Sequence, residues 1–233
     1  MNLQNSVAVV TGSNRGLGRE FTSQLLGRGA KKVYATARTP DSVRIPGVTP
    51  LGLDITDPDS IARAAAIAGD ATLIINNAGI STGTSLMDGD LTKIELELET
   101  NFYGPLRVTR AFAPILASNG GGAILNVLSV LSRLHLPAAG AYDAAKAAAW
   151  AMTDVARQEL APSAIHITAL HVAYMDTDMT AHITAPKADP ADVAALALDG
   201  IETGLTEILA DDTTRSVKQG LSAPPARPAV VAS

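Results

Sequence analysis

The sequence predicts a doubly wound α/β domain, in which a parallel sheet carries helices on both faces. Short, continuously apolar runs alternate with longer stretches rich in alanine and leucine. Such runs are expected of strands buried on both faces, and the alternation predicts right-handed β-α-β crossovers. The 233 residues, 47% of them hydrophobic, suffice for one sizeable core. We therefore expect a single domain over residues 1–221 and a flexible tail over 222–233.

The elements follow in order along the chain. Six apolar runs predict strands at 6–11, 32–36, 48–53, 71–76, 122–128 and 164–170. Alanine and leucine dominate the intervening stretches, which predict helices over 16–28, 57–67, 91–118 and 141–161. Beyond residue 180 the pattern weakens to one helix over 190–203, the short segment LTEIL and the proline-rich ending SAPPARPAVVAS.

Composition excludes several classes of site. Eighteen Lys plus Arg against 23 Asp plus Glu give a net charge of -5, so no overall basic field attracts nucleic acid or an anionic membrane. The absence of cysteine excludes disulfides and thiolate sites, and the four histidines lack metal-ligand spacing. The sequence shows no signal peptide and no membrane-spanning apolar run, so we expect a cytoplasmic protein.

The first strand leads directly into TGSNRGLG, residues 11–18. Glycines between a strand and a helix permit a tight turn and a close approach to a pyrophosphate, while the helix amino terminus offers free N–H groups. The spacing is not the commonest dinucleotide fingerprint, so this loop alone leaves an ordinary turn as the alternative. As a dinucleotide site, its candidate binding residues are Gly12, Ser13, Asn14, Arg15, Gly16, Leu17 and Gly18.

The stretch GAYDAAKAAAW, residues 140–150, carries one tyrosine and one lysine on a helix of alanines. Residues four apart lie on the same helical face, so Tyr142 and Lys146 are expected side by side. In isolation the pair favours an amphipathic rim whose lysine extends into solvent.

Four motifs in sequence order change that interpretation: the glycine loop, NNAG at 76–79, NFYG at 101–104 and LSVLSRLHLPAAGAYDAAK at 128–146. Together they resemble the short-chain dehydrogenase/reductase family over roughly residues 5 to 180. The resemblance implies a Rossmann-type fold, a nicotinamide dinucleotide and hydride transfer between a carbonyl and an alcohol. It also implies a catalytic tetrad of Asn101, Ser129, Tyr142 and Lys146.

The resemblance gives each member of the tetrad a role. Tyr142 would donate a proton to the carbonyl oxygen, and Lys146 would lower the phenol's pKa from its usual value of about 10 and bind the nicotinamide ribose. Ser129 would hydrogen-bond the substrate oxygen, with a turn serine as the alternative. Asn101 would hold a water on the route to Lys146. That role needs a helix distortion, which Pro105 favours.

Cofactor choice depends on the end of the second strand, where NAD-dependent enzymes usually carry Asp or Glu. The sequence YATAR places Arg38 there, and Arg15 lies in the glycine loop, so two guanidinium groups predict a 2′-phosphate and hence NADP(H). The alternative is a pair of solvated surface arginines. The family pattern also assigns Asp54 to the adenine, with a strand-end cap as alternative, and Thr177 to the carboxamide. The remaining expected contacts are Ile55, Asn77, Ala78, Gly79 and Ala173.

Two departures from the family pattern stand out: Ala173 and Tyr174 replace its usual Pro-Gly, and the carboxy-terminal segment lacks its glycine-rich ending. The leading hypothesis is an NADPH-dependent reductase of a hydrophobic ketone or aldehyde. Its alternatives are an alcohol dehydrogenase working oxidatively and a non-catalytic dinucleotide sensor. Apolar outer faces on helices 91–118 and 141–161 predict a homodimer or homotetramer, with no nucleic-acid or membrane partner.

Overall fold

The computed structural model describes residues 1–222, and the predicted tail of 222–233 lies outside them except for its first residue. One parallel sheet contains seven strands: β1 Val7–Val10, β2 Lys32–Ala37, β3 Thr49–Gly52, β4 Leu73–Asn76, β5 Gly122–Val127, β6 Ile165–His171 and β7 Glu207–Leu209. Their order is β3-β2-β1-β4-β5-β6-β7. The predicted doubly wound α/β fold is confirmed. The order reverses between β1 and β4, where folds of this kind form a ligand crevice at the carboxyl ends of the strands.

Helices cover both faces of the sheet. They are α1 Gly16–Gly27, α2 Pro58–Ile67, α3 Leu91–Leu98, α4 Gly104–Ser118, α5 Gly140–Leu160, α6 Pro190–Glu202 and α7 Asp212–Gly220. Phe21 of α1 and Leu198 of α6 pack on one face of the strands, while Ile61 of α2 and Phe112 of α4 pack on the other. Among residues 1–222, no helix is both long and apolar enough to span a bilayer.

Three parts of the fold differ from the sequence prediction. The single helix expected over 91–118 is divided by a π-helical turn, Glu99–Tyr103. The segment LTEIL supplies the seventh strand. Helix α7 was not predicted, because its sequence DTTRSVKQG contains a single apolar residue, Val217, and so shows no apolar repeat. A capping box between Asp211 and Thr214 stabilises its first turn instead.

Candidate active site

Glycines shape the loop between β1 and α1. Gly12 and Gly16 have left-handed backbone, with φ of +69° and +51°. A Cβ on Gly18 would lie 2.1 Å from the Gly12 carbonyl oxygen and 2.5 Å from Nδ2 of Asn77, so only glycine lets α1 approach the loop this closely. Arg15, the N-cap residue of α1, does not cap the first turn with its own side chain. The amino-terminal N–H groups of this helix can therefore bind an anion.

Hydrogen bonds hold the NNAG segment after β4 against this loop. Oγ1 of Thr11 accepts hydrogen bonds from the backbone N–H groups of Asn77 and Ala78, both at 2.9 Å. Nδ2 of Asn77 donates to the carbonyl oxygens of Thr11 at 2.9 Å and Gly12 at 3.3 Å. The two motifs thus form one rigid edge of the crevice between β1 and β4.

The side chains of three residues predicted to bind the cofactor make contacts within the protein instead. Oγ of Ser13 donates to the Val10 carbonyl oxygen at 2.8 Å, and the Leu17 side chain lies in the core. Ile55 packs against the NFYG motif, because a Cβ on Gly104 would lie 2.7 Å from its Cδ1. Ser13, Leu17 and Ile55 can therefore contact a dinucleotide only through their backbone or an exposed edge. Asn14 is exposed at the loop tip.

Charged groups lie where the family resemblance predicts the adenosine end of a dinucleotide. Arg38 is exposed at the end of β2, and Arg15 pairs with Asp178 at 2.9 Å in a contact with both side chains more than 70% exposed. Such an exposed pair is weak, so Arg15 remains available to a ligand. Oδ1 of Asp54 accepts hydrogen bonds from the N–H and hydroxyl of Thr56 at 2.9 and 2.7 Å. Asp54 therefore makes the strand-end cap that was the alternative interpretation.

Arg38 lies close enough to act electrostatically on Asp54. Partial burial by itself raises the pKa of Asp54, but the two hydrogen bonds from Thr56 and the charge of Arg38 outweigh it and lower the pKa overall. The carboxylate therefore stays ionised beside the guanidinium. Both charges thus lie at the carboxyl ends of β2 and β3, to one side of the crevice between β1 and β4.

Asn101 lies inside the π-helical turn and is 1% exposed. Its Nδ2 donates to the Ile80 carbonyl oxygen at 2.9 Å, and its Oδ1 accepts from the Ile80 N–H at 3.1 Å. The predicted helix distortion is confirmed. Pro105, in the first turn of α4, has no N–H for a regular hydrogen bond, which favours the wider turn.

The tetrad converges at the carboxyl ends of β4 and β5. Nζ of Lys146 lies 5.6 Å from the centroid of the Tyr142 ring and donates to the Val127 carbonyl oxygen at 2.9 Å. A Cβ on Gly79 would lie 2.8 Å from Oδ1 of Asn101 and 3.8 Å from Nζ of Lys146. Oγ of Ser129, just after β5, accepts from the Leu131 N–H at 3.1 Å.

The electrostatics of this cluster correct one expectation. Burial raises the pKa of Tyr142 above its ordinary value of 10, and Glu97 and Asp143 act in the same direction, with only the Ser129 hydroxyl opposing them. Burial also lowers the pKa of Lys146 to about 8, against the charge of Glu97. The net pKa of Tyr142 is therefore raised rather than lowered as expected, because burial and the two acids outweigh the Ser129 hydroxyl. The effect of Lys146 on the phenol stays a prediction.

The comparisons identify the family. The family model for short chain dehydrogenase matches residues 6–188. This chain is a short-chain dehydrogenase/reductase. A short chain dehydrogenase from Burkholderia cenocepacia J2315, solved in complex with NADP, is 40% identical to it with a TM-score of 0.92, covering 96% of this chain and 95% of that one.

Curated proteins related to this short-chain dehydrogenase are more distant. Dehydrogenase/reductase SDR family member 7B of Rattus norvegicus is 32% identical over 212 residues, which are 83% of this chain and 65% of the relative. Oxidoreductase BOA17 of Botryotinia fuckeliana is 33% identical over 180 residues, 72% and 65% of the two chains. The chain spans 60 to 65% of the length of the mammalian and frog relatives that it matches.

The crevice of this short-chain dehydrogenase fits the family's nicotinamide dinucleotide, NAD(P). The left-handed Gly12 and Gly16 and the open amino terminus of α1 suit a pyrophosphate. Gly79 has no side chain, so the space beside Asn101 and Lys146 that a Cβ would fill stays free for the cofactor. The individual contacts of the predicted residues with the cofactor stay predictions.

The segment after β6 has Ala173 and Tyr174 where the family usually has Pro-Gly, and it is held by a hydrogen bond to the start of α7. The Ala173 N–H donates to Oδ2 of Asp211 at 2.7 Å, and the other carboxylate oxygen of Asp211 caps α7. Farther along the segment, Cγ2 of Thr177 lies 3.3 Å from where a Cβ on Gly16 would be. The unpredicted α7 therefore anchors the segment, and Thr177 adjoins the glycine loop. Its contact with the carboxamide stays a prediction.

Three buried titratable groups surround the tetrad. His171 is 1% exposed, and burial and the charge of Arg133 lower its pKa to about 4. As a neutral ring it donates from Nδ1 to the Ser129 carbonyl oxygen at 3.2 Å, which is a structural role. Glu97 and Asp143 were not predicted as functional. Glu97 precedes Asn101 by four residues, and that helical spacing was the available signal.

Proposed function

We propose that this short-chain dehydrogenase reduces a ketone or aldehyde to an alcohol with NADPH, and that Tyr142 supplies the proton. The observation that carries the proposal is the convergence of Tyr142, Ser129, Lys146 and Asn101 beside Gly79 at the crevice. When bound, the reduced nicotinamide supplies a hydride. Because its raised pKa keeps the Tyr142 phenol protonated at neutral pH, this residue suits the role of proton donor.

The other residues of the tetrad support the substrate oxygen and the donor. The Ser129 hydroxyl would share the oxygen with Tyr142 and stabilise the negative charge that develops on it. His171 and Leu131 hold the backbone and side chain of Ser129 in place. Lys146, with a pKa of about 8, can deliver a proton at neutral pH.

Two observations support NADPH over NADH. Arg38 stands where an acidic residue would bind a 2′-hydroxyl, and Arg15 projects from the glycine loop. The relative that is 40% identical over nearly the whole chain was solved with NADP. Arg38, which stands at the end of β2 in place of the usual acidic residue, would attract a 2′-phosphate there.

Apolar loop residues favour a hydrophobic substrate. Leu134 and Leu136 after β5, and Tyr174 and Met179 after β6, are each 38 to 43% exposed. The first loop follows β5, where the tetrad lies, and the second follows the neighbouring strand β6. Alcohol oxidation is the alternative direction, since the same four residues serve the reverse reaction.

The test is a turnover assay of the purified protein at neutral pH. We expect NADPH consumption with hydrophobic ketones or aldehydes, and catalytic efficiency at least about tenfold lower with NADH. Turnover confined to alcohols with NADP⁺ would favour the oxidative alternative. NADPH binding without turnover on either panel would favour a sensor.

A further inference from the structure

An ion pair is buried behind the turn that begins at Ser129. Arg133 ends this turn, and its side chain is only 3% exposed. Its Nη2 donates to Oε1 of Glu207, the first residue of β7. The guanidinium carbon lies 4.3 Å from the centroid of the Trp150 ring on α5. Burying such a pair costs hydration, so stability alone gives little reason to retain it.

His171, at the end of β6, joins the same carboxylate to Ser129. Its Nε2 lies 3.7 Å from Oε1 of Glu207, and its Nδ1 donates to the Ser129 carbonyl oxygen at 3.2 Å. Burial and the charge of Arg133 lower the pKa of His171, so the ring is neutral and carries one proton. The Ser129 carbonyl oxygen engages that proton, which fixes the orientation of the ring.

These contacts hold the turn at both of its ends. Ser129 and Arg133 flank the 3₁₀ turn Val130–Ser132. Within it, the Ser132 N–H donates to the Ser129 carbonyl oxygen and the Arg133 N–H to the Val130 carbonyl oxygen, both at 3.0 Å. His171 holds the first residue and Glu207 holds the last. Fixing both ends of so short a turn limits the directions in which the Ser129 hydroxyl can point.

Glu207 also connects the turn to the last helix. Nζ of Lys218 on α7 donates to Oε2 of Glu207, while Arg133 binds Oε1. Burial raises the pKa of Glu207, but the hydrogen bonds from Lys218 and Arg133 outweigh it and lower the pKa overall. The carboxylate is therefore ionised at neutral pH. Through this one side chain, β7 and α7 reach the active-site turn although they supply no member of the tetrad.

We propose that Arg133, Glu207 and His171 form a positioning cluster that aims the Ser129 hydroxyl at the substrate oxygen. The functional part of this proposal rests on the proposed function, in which Ser129 stabilises the charge on that oxygen. The cluster acts through Ser129 and lies on the far side of β5 from the glycine loop after β1. Its loss should therefore lower kcat and leave NADPH binding intact.

The first experiment measures the turn and needs no substrate. Hydrogen–deuterium exchange of the amides of 128–134 is compared in the native protein and in Glu207→Gln, which keeps an oxygen acceptor for Arg133 but removes the balancing charge. We expect exchange at least about threefold faster, because a turn held less firmly opens more often. The matched control, Glu202→Gln, removes a carboxylate paired with Arg28 at 2.9 Å, at the opposite ends of the strands, and should leave the segment unchanged.

The second experiment asks whether the cluster acts through Ser129. The kcat for carbonyl reduction is measured for Glu207→Gln, Ser129→Ala and the double variant. We expect Glu207→Gln to lower kcat at least about fivefold, with the Kd for NADPH changed less than about twofold. In the Ser129→Ala background the same change should lower kcat less than about twofold, because the hydroxyl that it positions is already absent. A general structural defect would lower kcat by the same factor in both backgrounds.

His171 provides a rescue test. His171→Leu removes the donor to the Ser129 carbonyl oxygen and should lower kcat at least about threefold. His171→Asn places an amide N–H near the position of Nδ1, so it should recover most of that loss. Equal losses in the two variants would overturn the role of His171.

Each remaining outcome bears on one claim. Unchanged exchange in folded Glu207→Gln overturns the hold on the turn, whatever the turnover. If that variant does not fold, Arg133→Met combined with Glu207→Leu decides by the same measurement, because it leaves no charge buried alone. Equal loss of kcat with and without the Ser129 hydroxyl overturns the positioning of Ser129. Faster exchange in a protein that turns over neither carbonyls nor alcohols supports the hold on the turn and contradicts the proposed function instead.

Discussion

Around Tyr142, most polar side chains already bind the protein backbone. Lys146 donates to the Val127 carbonyl oxygen, Asn101 binds both polar groups of Ile80, and the Ser129 hydroxyl accepts from a turn N–H. These bonds hold the groups in place before a substrate arrives. Preorganised groups of this kind need little rearrangement in the transition state.

Replacing the donor gives the first prediction. Tyr142→Phe keeps the ring but removes the hydroxyl, so kcat should fall by at least about a hundredfold while the Kd for NADPH stays within about threefold. Fluorescence titration and steady-state assays measure the two quantities. The control is Tyr103→Phe, which removes the hydroxyl of a tyrosine that is 42% exposed. Near-normal turnover of Tyr142→Phe would show that another group donates the proton.

Cofactor choice gives the second prediction. Replacing Arg38 by Asp and Arg15 by Gln should reverse the preference, because the introduced carboxylate could accept from a 2′-hydroxyl and would repel a 2′-phosphate. A charge-assisted contact is typically worth about 1.5–3 kcal/mol, or at least about tenfold in efficiency. Comparison of kcat/KM for NADPH and NADH tests this. Arg110→Asp, at an exposed position on α4, is the control. Unchanged preference in the double variant would assign both arginines to the solvated surface.

At the residue level, the family resemblance predicted the tetrad but not its electrostatics. Tyr142 and Lys146 share a face of α5 because they are four residues apart, a local property of any helix. The pKa of Tyr142 depends on burial and on Glu97, which reaches it from another helix. Only the packing of α3 against α5 brings the charge of Glu97 near the phenol, so sequence reasoning considered Lys146 alone.

Among the elements, the junction of β1 and α1 gives the third prediction. Gly18→Ala would place a Cβ 2.1 Å from the Gly12 carbonyl oxygen, so it should destabilise the protein by about 1–3 kcal/mol and weaken NADPH binding. On the same helix, Gly27 is exposed with no atom within 4 Å of such a Cβ. Gly27→Ala should therefore be neutral or stabilise by up to about 1 kcal/mol. Denaturant unfolding measures both, and equal effects would contradict the close helix approach.

Most elements could be predicted because burial on both faces gives strands a plain apolar signal. All six predicted strands are present within about two residues of their expected bounds. The π-helical turn at Asn101 could be expected only from its family role, since its apolar pattern continues that of a helix. Helix α7 depends on the Asp211 capping box and on the contact of Asp211 with Ala173. A contact between distant segments leaves no periodic signal.

For the whole molecule we propose a homodimer or homotetramer. Leu96 on α3, Tyr103 in the π-helical turn and Val155 on α5 are 47%, 42% and 52% exposed on adjoining elements. A second copy would cover such apolar surface. Val155→Arg should therefore reduce the mass measured by light scattering at micromolar concentration. Ile67→Arg, at a 58% exposed position on α2, should leave it unchanged. A monomeric native protein would contradict the proposal.

The most direct test of hydride transfer follows the label from cofactor to product. The native enzyme is incubated with a hydrophobic ketone and NADPH deuterated at the hydride-donating carbon, and the product is analysed by mass spectrometry and NMR. We predict an alcohol that carries one deuterium on the former carbonyl carbon, with formation reduced at least about a hundredfold in Tyr142→Phe. An unlabelled alcohol, or equal labelled product from both proteins, would contradict carbonyl reduction with Tyr142 as proton donor.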